Sequence, residues 1–179
     1  VELLSPAGDV KSFKAAILAG ANAIFFGVSD FNARQRAENI SFENLIDLIK
    51  LAKSKNVKSY LTLNTLVFDS EFSLLVETVK NAVACGVDAV IVQDLGVLSV
   101  VKKLFPELEI HASTQMTTHN ILQCEFLSEV GVSQINLSRE LSLDELKSIV
   151  KYLNTKNIIA EIFVHGAYCI SFSGQCYFS

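Results

Sequence analysis

Apolar and polar positions along the chain follow two alternating rhythms. Short runs rich in β-branched and aromatic residues, each three to six residues long, are separated by longer stretches with apolar residues at helical spacing. The runs predict strands at Glu2 to Leu4, Ala23 to Phe26, Lys58 to Leu63, Asp88 to Val92, Glu109 to Ala112, Gln134 to Leu137 and Ile159 to Val164. Between them, helices are expected from Asp9 to about Ala19, after Ser41, from about Ser70 to Ala84, from Leu95 to Leu104, from Asn120 to Val130 and from Asp144 to Leu153. Asp9 and Ser41 are N-cap residue types, Gly20 is a helix-ending residue, and Pro106 stops the fourth helix from running on. The apolar stripe of the second helix is Leu45, Leu48, Ile49 and Ala52, and that of the third is Leu74, Leu75, Val79 and Val83.

Three segments echo one another. GANAIFF from Gly20, GVDAVIV from Gly86 and GVSQINL from Gly131 each place a glycine three residues before an apolar strand. Repeated strand–helix units of this kind predict an α/β chain with parallel strands in a TIM-barrel-like array rather than an open sheet. The dinucleotide fingerprint G-x-G-x-x-G is absent, which argues in the same direction. A closed barrel takes eight units and about 250 residues. Seven units fit into these 179 residues, so the chain reads as an incomplete barrel, one domain over 1–179, and the N-terminal piece of a longer protein. The first and seventh strands are then edges, and self-association or a covering segment is expected there. From Gly166 onward an exposed, loosely held loop is expected.

Composition narrows the partners. Half the residues are hydrophobic, which excludes disorder, and no apolar run has the length of a spanning helix. The start, Val-Glu-Leu-Leu-Ser-Pro, lacks the basic and apolar regions of a signal peptide, so a cytoplasmic location is the expectation and no membrane partner is foreseen. A net charge of −4 is the wrong sign for a domain that grips phosphates by itself.

In a barrel the chemistry sits at the carboxyl ends of the strands. Those ends carry Asn32 and Arg34, then Asn64, then Gln93 and Asp94, then His111, Ser113 and Gln115, then Ser138 and Arg139, and finally His165. Polar residues in such places often cap helices and satisfy loop backbone. Taken together they predict a polar pocket for an oxygen-rich anion, with Arg34 and Arg139 as its charge partners. His119, near the start of the fifth helix, reads as a solvated or capping residue.

Four cysteines without a secretory signal point to metal binding or burial rather than disulfides. Cys85 and Cys124 lie on amphipathic helices and read as structural. Cys169 and Cys176 lie on a glycine-bearing loop, with six residues between them. That spacing is too wide for a zinc knuckle, and two thiols are half the usual set for an iron–sulfur cluster. With three histidines and neither H-E-x-x-H nor G-x-S-x-G, no zincin or α/β-hydrolase site can be assembled. A cysteine peptidase pairing Cys169 with His111 or His165 remains constructible, but it leaves Cys176 without a task.

The last stretch, EIFVHGAYCISFSGQCYFS, resembles the signature of the collagenase-like peptidase family U32: Glu-x-Phe-x-x-Gly-Ala-x-Cys, four residues, then Gly-x-Cys-x-x-Ser. Tyr168 and Phe178 stand where the family usually has aliphatic residues, and both keep the site apolar. The likeness extends to ELLSPAGD, FNARQRAENISF, VQDLGV, HASTQMTTHN and NLSREL, almost the whole chain. Members of this family include oxygen-independent hydroxylases of ribosomal and transfer RNA bases or of a quinone precursor. The resemblance therefore implies RNA pyrimidine hydroxylation, with proteolysis as the second possibility. It also implies a four-iron four-sulfur cluster held by Cys169, Cys176 and two cysteines beyond Ser179, with prephenate as the hydroxyl source. The RNA partner would be gripped mainly by regions after Ser179, and pairing with a second family member is a further possibility.

Overall fold

The computed structural model describes residues 1–33, 39–166 and 170–174. Seven strands form one sheet in chain order: β1 (Leu4–Ala7), β2 (Ala23–Phe26), β3 (Lys58–Leu63), β4 (Ala89–Val92), β5 (Glu109–Ala112), β6 (Gln134–Asn136) and β7 (Ile159–Glu161). Every neighbouring pair is parallel. Helices α1 (Val10–Leu18), α2 (Phe42–Ser54), α3 (Phe72–Cys85), α4 (Leu95–Leu104), α5 (Ile121–Glu129) and α6 (Leu143–Thr155) connect consecutive strands. The result is a curled half-barrel, as the repeated pattern predicts.

Side chains alternate across each strand, so the sheet has two unlike faces. Toward the helices it presents Ile24, Phe26, Leu61, Leu63, Val90, Val92, Ile110 and Ile135, all fully or almost fully buried. These pack on helix residues such as Phe13, Leu45, Ile49, Val79 and Leu153. The other face holds a separate, smaller apolar patch of Ala23, Tyr60, Ala89 and Ile91, with Leu4 and Phe25 beside it. Toward β5, β6 and β7 that face carries the polar residues Glu109, His111, Gln134, Asn136 and Glu161.

The glycine echo has a conformational cause. Gly20, Gly86 and Gly131 follow α1, α3 and α5 with φ of +87°, +88° and +87°, the left-handed geometry that ends a helix. Asn56 and Asn157, each at φ 56°, take the corresponding place after α2 and α6. Asparagine is the commonest non-glycine residue there, because its short polar side chain tolerates this region.

Several boundaries differ from the sequence reading, and three of them have a clear physical cause. The first strand runs from Leu4 to Ala7 and includes Pro6, because among the described residues β1 pairs only with β2 and an edge strand need not donate from every residue. The third helix begins after a 3-10 turn at Asp69–Glu71, which shifts its buried stripe to Leu75, Thr78, Val79 and Ala82. Leu74 and Val83 flank that stripe and are 49% and 40% exposed. The seventh strand stops at Glu161, where Leu137 N–H donates the last ladder bond to the Glu161 carbonyl at 2.9 Å. Beyond it Ile162, Phe163 and Val164 leave the sheet and are exposed, since β7 has no second neighbour among the described residues.

A Cβ at Gly20 meets no atom within 4 Å, so a substitution there tests backbone conformation alone. Gly20→Ala is expected to lower the unfolding free energy by about 1–2 kcal/mol. Gly20→Asn is expected to cost less. Urea denaturation measures both, and equal stabilities for wild type and Gly20→Ala would contradict the assignment.

Candidate functional site

The inner face carries its polar groups on the strands themselves. Glu161, at the end of β7, is the register partner of Asn136 on β6. Its carboxyl accepts hydrogen bonds from Gln134 Nε2 at 2.6 Å and from Asn136 Nδ2 at 2.8 Å, so two amides from one strand hold both its oxygens. Burial pushes the Glu161 carboxyl up to about 6, although the Gln134 bond opposes the shift. Asn136 Oδ1 is buried and has no partner among the described residues.

His111, the register partner of Gln134, is 2% exposed and lies edge-on to Tyr60, with ring centroids 4.6 Å apart. Burial lowers its pKa against the pull of Glu109, so the ring is neutral near pH 7. Its Nε2 stands 3.5 Å from Glu109 Oε2, a long contact, and Nδ1 is unpaired among the described residues. Nearby, Tyr60 donates to Glu2 Oε1 at 2.7 Å, and Glu2 pairs with Lys58 at 3.4 Å. Burial, reinforced by Glu2, pushes the Tyr60 phenol far up. The period-two alternation of Glu109-Ile110-His111 and Gln134-Ile135-Asn136 is the sequence signal for this face, and inspection of strand ends alone misses it.

Most of the rim residues singled out in the sequence hold the scaffold together. Asn64 Oδ1 accepts from Ala33 N–H at 3.1 Å and ties the loop after β2 to the end of β3. Asp94 caps α4 by accepting from Val97 N–H at 3.0 Å, and its other oxygen accepts from Val67 N–H at 3.4 Å. Ser113 Oγ accepts from Gln115 N–H at 3.2 Å. Asn32 is buried and donates to the Val28 carbonyl. Ser138 is buried with its hydroxyl unpaired among the described residues, while Gln93 is partly buried. His165 is exposed, as is His119, whose Nδ1 lies 2.7 Å from the Thr117 carbonyl. Arg34, Cys169 and Cys176 lie outside the described residues.

Arg139, expected as a charge partner of an anion, also has a structural task. Its guanidinium reaches over the rim to residues 171–173, donating from Nη2 to the Ser171 carbonyl at 3.0 Å and from Nε to Ser173 Oγ at 3.2 Å. For residues 171–173 those contacts correct the expectation of a loosely held loop, with Ser173 2% exposed, while Ile170 and Phe172 are exposed as expected. The structural reading of the helical cysteines is consistent with their surroundings. Cys124 is fully buried and its thiol is pushed up to about 11, and burial raises Cys85 as well. Thiols held protonated in this way suit packing rather than metal ligation. Among the described residues no group of three or more His, Cys, Asp or Glu could hold a metal ion.

The Glu161 environment makes stability depend on pH in a defined direction. Since its carboxyl is raised from 4.5 to about 6, the folded chain holds that proton more tightly than the unfolded chain. The resulting stabilisation is full below the unfolded value and is lost as pH rises through about 6, a fall of about 2 kcal/mol. His111 acts oppositely, because its lowered pKa removes stability as pH falls below its ordinary 6.5. The difference between wild type and Glu161→Gln isolates the carboxyl. Chemical denaturation at pH 4 and pH 7 should show that difference larger at pH 4 by about 2 kcal/mol, and a difference independent of pH would contradict it.

Comparison with known proteins places this geometry. Residues 8–179 match Peptidase family U32. The chain is 40% identical over 179 residues to the 23S rRNA 5-hydroxycytidine C2501 synthase of Escherichia coli, covering all of this chain and 26% of that protein. It is 40% identical over 180 residues to tRNA hydroxylation protein P of Helicobacter pylori, covering all of this chain and 42% of the relative. A protein named collagenase from Porphyromonas gingivalis is 33% identical over 187 residues, with 99% and 44% covered. The chain thus spans less than half the length of these curated relatives. Among solved structures, a U32 peptidase superposes with a TM-score of 0.68 at 14% identity over 90% of this chain and 67% of that one, a likeness of fold. With the family match spanning nearly its whole length, the chain belongs to peptidase family U32.

Proposed function

We propose that the intact protein hydroxylates a pyrimidine of ribosomal or transfer RNA in the cytoplasm, without molecular oxygen, using an iron–sulfur cluster. One observation carries this reading: the whole chain matches, at 40% identity, two proteins named for hydroxylated RNA. The inner face agrees with it chemically. Amide and carboxyl groups such as Gln134, Asn136 and Glu161 can read hydrogen-bond edges of a base, and a carboxyl near 6 can exchange a proton at neutral pH. Since the net charge is −4, affinity for RNA phosphates is assigned to parts of the protein outside this chain.

The described thiols, Cys85 and Cys124, do not fit a cluster, so its ligands are assigned to Cys169, Cys176 and cysteines outside the chain. When bound, such a cluster supplies electron transfer. Prephenate is assigned as the hydroxyl donor. No helix among the described residues is long and apolar enough to cross a membrane.

The relative named collagenase favours a second reading, thiol-dependent proteolysis. His111 suits it poorly, being buried, neutral and held against Tyr60. Of the two histidines that could pair with Cys169, His165 is the exposed one.

Deletion of the gene in its host should remove a sixteen-dalton increment from one pyrimidine in ribosomal or transfer RNA. Wild type should restore it and Cys169→Ala should not. Iron per chain in the purified intact protein should fall in Cys169→Ala and Cys176→Ala and stay unchanged in Cys85→Ala and Cys124→Ala. Unaltered RNA together with peptide cleavage by metal-free protein would establish proteolysis instead.

A further inference from the structure

Three stretches far apart in the chain meet at one serine. Ser173 Oγ accepts from the Arg139 main-chain N–H and from Arg139 Nε, both at 3.2 Å, and donates to Glu140 Oε1 at 3.2 Å. Its main-chain N–H donates to the same Glu140 oxygen at 2.9 Å, and its carbonyl accepts from Thr117 Oγ1 at 2.9 Å. Burial pushes the Glu140 carboxyl up, but the two Ser173 bonds, together with Glu140's own N–H and the charge of Arg139, hold the group below its usual range. The next residue, Gly174, has φ +77°, and a Cβ there would lie 2.1 Å from Thr117 Oγ1 and 2.6 Å from the Gln115 carbonyl. Only glycine lets the turn sit this close to the loop after β5.

We propose that Ser173, Arg139 and Glu140 are positioning residues. They fix on the β5–β6 rim the turn whose flanks carry Cys169 and Cys176, and they thereby set how those two thiols are presented. The placement follows from sequence distance: Cys169 lies two residues before Ser171 and Cys176 two after Gly174. Arg139 gives this turn two of its five guanidinium donors. Ser173 suits the centre because one hydroxyl accepts twice and donates once, and its enclosed site excludes a larger side chain. The consequence for metal retention rests on the proposed role of the thiols; the positioning does not.

The test uses the intact protein, purified anaerobically, as wild type, Ser173→Ala, Arg139→Ala, Arg139→Lys and the Ser173→Ala/Arg139→Ala double variant. Iodoacetamide labelling followed by mass spectrometry gives the alkylation rate of each cysteine, with buried Cys124 as the internal reference for global unfolding. Ser173→Ala and Arg139→Ala should each change the rates at Cys169 and Cys176 by about tenfold and leave Cys124 unchanged. The double variant should exceed either single one, because the two substitutions share only the Nε–Oγ bond: Ser173→Ala also removes the hydroxyl's bonds with the Arg139 main-chain N–H and Glu140, and Arg139→Ala also removes the bond to the Ser171 carbonyl. Arg139→Lys should recover only part of the effect, since an ammonium cannot span Ser171 and Ser173 as the guanidinium does. Wild-type rates at Cys169 and Cys176 in Ser173→Ala, or equal acceleration at Cys124, would overturn the proposal. Altered thiol rates with undiminished iron per chain would uphold the positioning and refute the metal role of the thiols.

Discussion

A parallel sheet with helices on one side must also satisfy its other side, and here that second face is satisfied by polar pairing. Seven strands leave an inner surface that Tyr60, Ala89 and Ile91 fill only in part. Toward β6 and β7 the same surface passes to Gln134, Asn136 and Glu161, whose two short hydrogen bonds join the last two strands side chain to side chain. A carboxyl left unpaired in that position would cost several kcal/mol, so the two amides are what make it tenable. They also fix its direction. Burial then leaves a group that titrates near 6, a property suited to proton transfer and absent from a carboxylate at the surface.

The rim above this face is a second polar assembly with a different task. Thr117 from the loop after β5, Arg139 and Glu140 from the loop after β6, and Ser173 from the chain's last segment form one hydrogen-bonded unit. The strand end that supplies Asn136 runs through Leu137 and Ser138 straight into Arg139, so inner face and rim share a backbone. Displacement of one would be felt by the other within three residues. That continuity explains why polar residues crowd the ends of β5 and β6 while the described ends of β2 to β4 use theirs as caps and loop ties, as with Asn64 and Asp94.

The fold was largely legible because each unit obeys one local rule. A left-handed glycine closes the helix and a short apolar run follows, as at Gly20, Gly86 and Gly131. Where an element lacks its neighbour the rule loses force: Ile162, Phe163 and Val164 read as strand from composition, yet β7 ends at Glu161 for want of a partner. The site was less legible. Arg139 has the charge of an anion ligand, and no feature of its own segment reveals that its partners lie 32 and 34 residues downstream. The amide pair on Glu161 left a visible trace, since Gln134 and Asn136 alternate with Ile135, but residue spacing within one strand cannot say which residue of the next strand they will meet.

The account rests on the seating of residues 171–173 on the barrel rim by Glu140 and Arg139. Residue-resolved amide hydrogen exchange at Ser173 in the intact protein addresses it most directly, because that N–H donates to Glu140. A seated turn predicts exchange slower than the unprotected peptide rate by about a hundredfold or more. Exchange of the Ser173 amide at the unprotected rate, in a protein whose β3 and β4 amides remain protected, would contradict it.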